Sequence, residues 1–123
     1  MSAGKTVRHY QVLKVTIANG EALSGEIDLR DFAAGIVYMP AAWTAADLGV
    51  KVAHTSGGTF QPLKDASNGY DTTVSIDAVV ASACYHLPEW VFAAQYIKLW
   101  SHNGSGTDTN QAAARDIYVM LKS

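Results

Sequence analysis

The stretch Gly35-Ile-Val-Tyr-Met-Pro-Ala-Ala-Trp43, followed closely by Leu48-Gly-Val-Lys-Val-Ala-His54, decides how the chain is read. Ile36 to Met39 form a continuous apolar run. It is too short for a buried helix and predicts a strand covered on both faces. Pro40 has no N–H to give to a ladder, so the strand is expected to stop there. Ala41 to Ala46 then make a corner with Trp43 as its largest apolar surface. From Leu48 the pattern alternates, with Leu48, Val50, Val52 and His54 on one face and Gly49, Lys51 and Ala53 on the other. Strand, aromatic corner and strand together predict a crossover between two packed sheets, the centre of a β-sandwich.

Working outward, the same alternation recurs. Leu13, Val15 and Ile17 alternate with Lys14 and Thr16, and Asn19-Gly20 supplies a turn. In Ala22 to Leu29, Leu23, Gly25, Ile27 and Leu29 are expected inward; this strand either pairs with the first as a hairpin or lies in the opposite sheet. Phe32 anchors the next connection. Beyond the centre, Ser56-Gly-Gly-Thr59 is a tight turn. Phe60 to Leu63 is a brief strand that Pro62 either confines to an edge or ends, and Asn68-Gly69 centres a second turn. Thr72 to Ile76 follows as a strand, and Val79 to Leu87 as a strand or a strand broken by a bend. Pro88 to Ala94 reads as one helical turn anchored by Trp90 and Phe92. Gln95 to Ser101 is a strand with Ile97 and Leu99 on one face and Tyr96, Lys98 and Trp100 on the other. His102 to Gln111 is polar and expected to be an exposed, mobile loop. Arg115 to Leu121 closes the chain with Ile117, Val119 and Leu121 inward. The expectation is an all-β, antiparallel, jelly-roll-like sandwich over residues 11–123, with about eight short strands and one short helical turn. Residues 1–10, carrying Lys5, Arg8 and His9, are expected to be an arm that is free or ordered only against a neighbour.

The totals bound the function. The 123 residues suit one domain, 49% are hydrophobic and only 16% are charged. That charge is low against a typical quarter of residues, so part of the surface must be neutral loop or interface. A net charge of −2 without a basic run disfavours phosphate-driven nucleic-acid binding. No apolar run approaches the roughly 18 residues of a membrane-spanning helix, and the N-terminus lacks a signal peptide's apolar core. Cys84 is the sole cysteine, which rules out an internal disulfide and points to assembly in a reducing cytoplasm.

Reactive constellations are sparse. Ala3-Gly-Lys-Thr6 echoes the end of a phosphate loop but lacks the earlier glycine and the preceding strand. His9, His54, His86 and His102 show no metal-ligand spacing. Cys84 lies in an apolar segment, where thiols are usually inert core residues, and Cys84 with His86 has no third orienting group. Asp108 and Asn110, with Ser105 and Thr107, offer oxygen ligands, but one carboxylate carries little charge for calcium. Glu89 beside Trp90 is the nearest approach to an acid/base carboxylate, and its position at a helix start explains it as well. Trp43 and Trp90 are expected to plug the core. Tyr96, Lys98 and Trp100 are the expected interface, helped by Lys5 and Arg8 of the arm. No enzyme, cofactor or metal is expected.

Three pieces together resemble a known group: Gly35 to Ala46, Ser56-Gly-Gly-Thr-Phe60, and Gln95-Tyr-Ile-Lys-Leu99 with Asn110-Gln-Ala-Ala-Ala-Arg115. They resemble small proteins encoded among the virion structural genes of tailed bacteriophages. The likeness runs from Thr16 to Leu121; Trp100 to Gly106 is bulkier than in that group, and Met1 to Tyr10 has no counterpart. The resemblance implies a virion component without catalytic residues, assembled in the host bacterial cytoplasm. The role implied is a capsid decoration (cement) or head–tail accessory protein, a homo-oligomer that contacts the major capsid protein or other virion proteins. A second resemblance, to discoidin-type jelly rolls, implies a host-glycan binder whose ligand is held by loops including Asn103 to Asn110.

Overall fold

The computed structural model describes residues 9–66 and 72–123, and strands dominate them. In chain order they are β1 (Tyr10–Ile17), β2 (Ile27–Asp28), β3 (Ala34–Tyr38), β4 (Asp47–Ala53), β5 (Gln61–Pro62), β6 (Lys64–Asp65), β7 (Thr72–Thr73), β8 (Ser75–Ile76), β9 (Cys84–His86), β10 (Tyr96–His102) and β11 (Arg115–Lys122). Among the described residues a single 3₁₀ turn covers Glu89–Ala93. One sheet has the order β1-β11-β3-β9 and the other β2-β10-β4-β5, with β8 also on β4 and a small β6-β7 ribbon beside them. All pairings are antiparallel.

The chain changes sheet at each step from β1 to β4 and again from β10 to β11. With β5 and β8 both serving as neighbours of β4, this is the strand order of a jelly roll. The two sheets meet over one apolar cluster. Val15, Ile17, Val37, Ile117, Val119 and Leu121 enter it from the first sheet, and Ile27, Leu48, Val50, Ile97 and Leu99 from the second. Each set is a run of alternate positions, because successive side chains on a strand point to opposite faces.

The Pro40 corner carries the chain from β3 to β4, as the sequence predicts. Its clamp is Gln111, which is 1% exposed. The Gln111 Oε1 accepts the Thr44 N–H at 2.9 Å and the Arg115 Nε–H at 3.1 Å. Its Nε2 donates to the Thr44 carbonyl at 3.1 Å and to Ser101 Oγ at 2.9 Å. Trp43 is only half-buried, packing against the core edge while its Nε1 donates to the Ala46 carbonyl.

Several expectations change. β3 is covered on one face only: Gly35 and Val37 are buried, while Ile36 is 37% exposed. Residues 22–29 lie along β10, but only β2 and a bridge at Leu23 are ladder. Ser24 explains the break, since its Oγ replaces a backbone carbonyl and accepts the Leu99 N–H at 2.9 Å, turning this polar side chain inward. β1 and β2 lie in opposite sheets rather than in a hairpin. The 3₁₀ turn is anchored by Val91, wholly buried, and by Phe92; Trp90 is 53% exposed. Cys84 is exposed, because β9 is an edge strand with one face to solvent. The Asn68-Gly69 turn and residues 1–8, including Lys5 and Arg8, lie outside the described residues.

Candidate assembly surface

Two surfaces stand out, one on each side of the sandwich. The sequence singled out the outward face of the second sheet, around Tyr96, Lys98 and Trp100. There the structure corrects the reading of Trp100, which is 1% exposed. Gly49 lies opposite it on β4, and a Cβ at Gly49 would stand 2.9 Å from His102 Nε2 and 3.4 Å from the Trp100 ring. The absence of a side chain there lets both rings settle onto the sheet. Trp100 and His102 stack with centroids 4.4 Å apart, the Lys51 ammonium sits 4.8 Å above the indole, and the indole N–H donates to Asp108 at 2.7 Å. Asp108 reaches back because residues 103–108 fold as a closed turn, with Asn103 accepting the Ser105 and Thr107 N–H groups. The loop is exposed at its tip but tied at both ends to buried His102 and Gln111.

His102 itself is held neutral. Its Nδ1 accepts the Gly104 N–H at 3.0 Å, which leaves the proton on Nε2, and that atom is buried without a partner among the described residues. Burial pushes its pKa below the ordinary 6.5, opposed by Asp47, Asp77 and Asp108. Tyr96 and Lys98 are half-buried, Lys98 with its ammonium 4.7 Å over the Phe60 ring. Around Trp100 this face is covered by its own chain.

The outward face of the first sheet is different. Four of the six large hydrophobic side chains exposed among the described residues stand on it: Tyr10 at 68%, Val12 at 53%, Tyr118 at 50% and Ile36 at 37%. Strand register arranges them in rows. One row runs Val12, Met120, Ile36, His86 across β1, β11, β3 and β9; the next runs Lys14, Tyr118, Tyr38, Cys84. Beyond them lie Tyr10, Lys122 and Ala34 at one end and Thr16 with Asp116 at the other. Thr16 donates its hydroxyl to Asp116 at 2.7 Å. An apolar hollow of about 160 Å3, framed by Ala34, Ile36, His86, Met120 and Lys122, dents the surface. A largely apolar sheet face, with Asp116 and Lys122 at its ends and Lys14 at its β1 edge, has the composition of a contact surface. The sequence could have revealed it: Tyr10, Val12, Ile36, Tyr118 and Met120 each occupy the outward position of an alternating strand.

A third feature is an open cleft of about 570 Å3 beside β7 and β8, lined by Asp47, Asp65, Thr73, Asp77, Trp90 and Ser105 among others. Asp47 accepts the Ala78 N–H at 2.7 Å and Asp77 accepts the Ser75 hydroxyl at 2.9 Å. Among the described residues no three His, Cys, Asp or Glu side chains are grouped to hold a metal ion.

No protein-family model matches the chain, and no curated protein matches it. Among solved structures it is similar to the crystal structure of SPBc2 prophage-derived protein YomS. The TM-score is 0.63 at 8% identity, with 99% of this chain and 100% of that chain covered. The likeness spans both chains end to end and is one of fold.

Proposed function

We propose that this protein is a structural component of a tailed-bacteriophage virion: a capsid decoration protein, made in the host cytoplasm, that docks on the particle and stabilises it. The observation that carries this reading is the outward face of β1-β11-β3-β9, where aromatic and aliphatic side chains stand in register with nothing over them among the described residues. Covering such a face is favourable by roughly 25 cal/mol per Å2 of apolar surface removed from water. Repeated over many copies on a lattice, a modest interface per copy suffices. The end-to-end likeness to a prophage-derived protein supports a phage origin.

The test is composition of purified particles. The protein is expected in a fixed, near-stoichiometric ratio to a major virion protein. Particles assembled with Tyr118→Glu are expected to lose it and to melt at lower temperature. A protein absent from washed particles would end this reading.

One observation favours a second reading, a host-glycan binder. Trp90 stands half-exposed on the cleft beside Asp47, Asp65 and Asp77, and the 103–110 loop contributes Gly104 and Ser105 to the same wall. Exposed indole beside carboxylates is a way to stack on a sugar ring and accept from its hydroxyls. Binding on a glycan array that Trp90→Ala abolishes would favour this reading over the first.

A further inference from the structure

We infer that the outward face of β1-β11-β3-β9 pairs with the same face of a second copy, about a two-fold axis that crosses β11 between Tyr118 and Met120. The inference rests on the reading of this face as an assembly surface and names its occupant.

The argument comes from the order of side chains along one strand. On β11 the outward positions are Asp116, Tyr118, Met120 and Lys122, an acid at one end, a base at the other and apolar groups between. A two-fold axis across the middle of that set reverses it. Asp116 then faces Lys122 of the second copy, and Tyr118 faces the second copy's Met120. The Asp116–Lys122 pair therefore forms twice by symmetry, which is what an isologous contact requires.

The relief agrees with the charges. The hollow framed by Ile36, Met120 and His86 lies in the row that the axis brings opposite Tyr118, and Tyr118 is half-exposed and free to enter it. On β1 the same operation sets Tyr10 against Thr16 and Val12 against the stem of Lys14, so no like charges meet. The four strands, about 4.8 Å apart and rising about 3.3 Å per residue, present roughly 400 Å2 of flat area per copy. With side-chain relief, two faces bury on the order of 1,000 Å2, the lower bound of a specific interface. Two antiparallel sheets stacked in this way repeat the packing already used inside the sandwich.

Cys84, the sole cysteine, reports the geometry. It is exposed and lies on the Tyr118 row of β9. In the proposed pairing β9 lies over β9, and the two thiols stand on the order of 10 Å apart. If the axis instead ran along the strands, β9 would lie over the second copy's β1 and the thiols would be separated by the width of the four-stranded sheet, about 15 Å, in addition to the spacing between the sheets.

The experiment is sedimentation of the purified full-length chain with its charge variants. The wild type is expected to be a dimer. Asp116→Lys and Lys122→Asp are each expected to weaken self-association about tenfold or more, and the double variant D116K/K122D to restore it. A short bis-maleimide is expected to link two chains through Cys84 in the wild type and the double variant only. A monomeric wild type, a double variant as weak as the singles, or a dimer that the reagent fails to link would overturn the inference. A monomer that still enters particles would leave the proposed function intact, and a dimer absent from particles would do the reverse.

Discussion

At the scale of single residues, the fold depends on polar side chains doing backbone work. Gln111 makes four hydrogen bonds from a buried position and joins the β3–β4 corner to β10 and β11. Removing it strands the buried Ser101 hydroxyl and the Thr44 backbone groups, and an unpaired buried polar group costs about 1–3 kcal/mol. Gln111→Ala is therefore expected to lose about 2–4 kcal/mol once the cavity is included, read from the midpoint of urea unfolding. His102 makes stability depend on pH. Its folded pKa lies below the unfolded value near 6.5, so as pH falls through that window the unfolded state binds more protons than the folded one. Stability is retained above 6.5 and lost as pH drops from there through the lower folded value. His102→Gln is expected to flatten the thermal-unfolding midpoint across that window; an unchanged slope would contradict the assignment. Neither residue was legible as buried in the sequence. His102 and Gln111 bracket a run of Gly, Ser, Thr and Asn, and local composition reports the exposed tip, not the tied ends. Trp100 was misplaced for a related reason: alternation put it on the outward face correctly, but what covers that face is Lys51, Asp108 and His102, which only the folded chain brings together.

At the scale of elements, period-two alternation recovered the long strands well. β1, β4, β10 and β11 lie close to where their patterns put them, and Pro40 and Pro88 mark a strand end and a turn start. Shorter pieces were less legible. The segment Ala22 to Leu29 alternates as a strand should, yet Ser24 and Gly25 break its ladder because a hydroxyl can stand in for a carbonyl. The apolar run at β3 predicts a doubly covered strand, whereas Ile36 on its outward side is solvent-facing; apolar composition does not distinguish a covered face from an exposed one. Gly35 belongs to the inward half. A Cβ there would lie 2.9 Å from Leu121 Cδ2, 3.1 Å from Leu87 Cδ1 and 3.1 Å from the Met120 carbonyl oxygen. Gly35→Val overpacks this contact and is expected to cost about 1–3 kcal/mol, seen as a lower melting temperature. An unchanged melting temperature would mean that β3 and β11 can separate more easily than their pairing implies.

At the scale of the whole molecule, the two sheets divide the labour. The second covers its outer face around Trp100 with its own loop and rings, and among the described residues the first leaves its outer face open and largely apolar. The sandwich and its jelly-roll order were legible because strand spacing and the Trp43 corner constrain a chain this short to few topologies. The sequence points to the second sheet, at Tyr96, Lys98 and Trp100, whereas the apolar side chains exposed among the described residues gather on the first, because exposure depends on which strands become neighbours. Fold alone does not choose between capsid and glycan chemistry, since jelly rolls serve both; the open sheet face favours assembly. A three-dimensional reconstruction of the purified particle is the direct test. The account predicts density for the sandwich at a fixed lattice position, with the β1-β11-β3-β9 face covered by a neighbouring subunit. Particles without that density, or with that face bare to solvent, would contradict it.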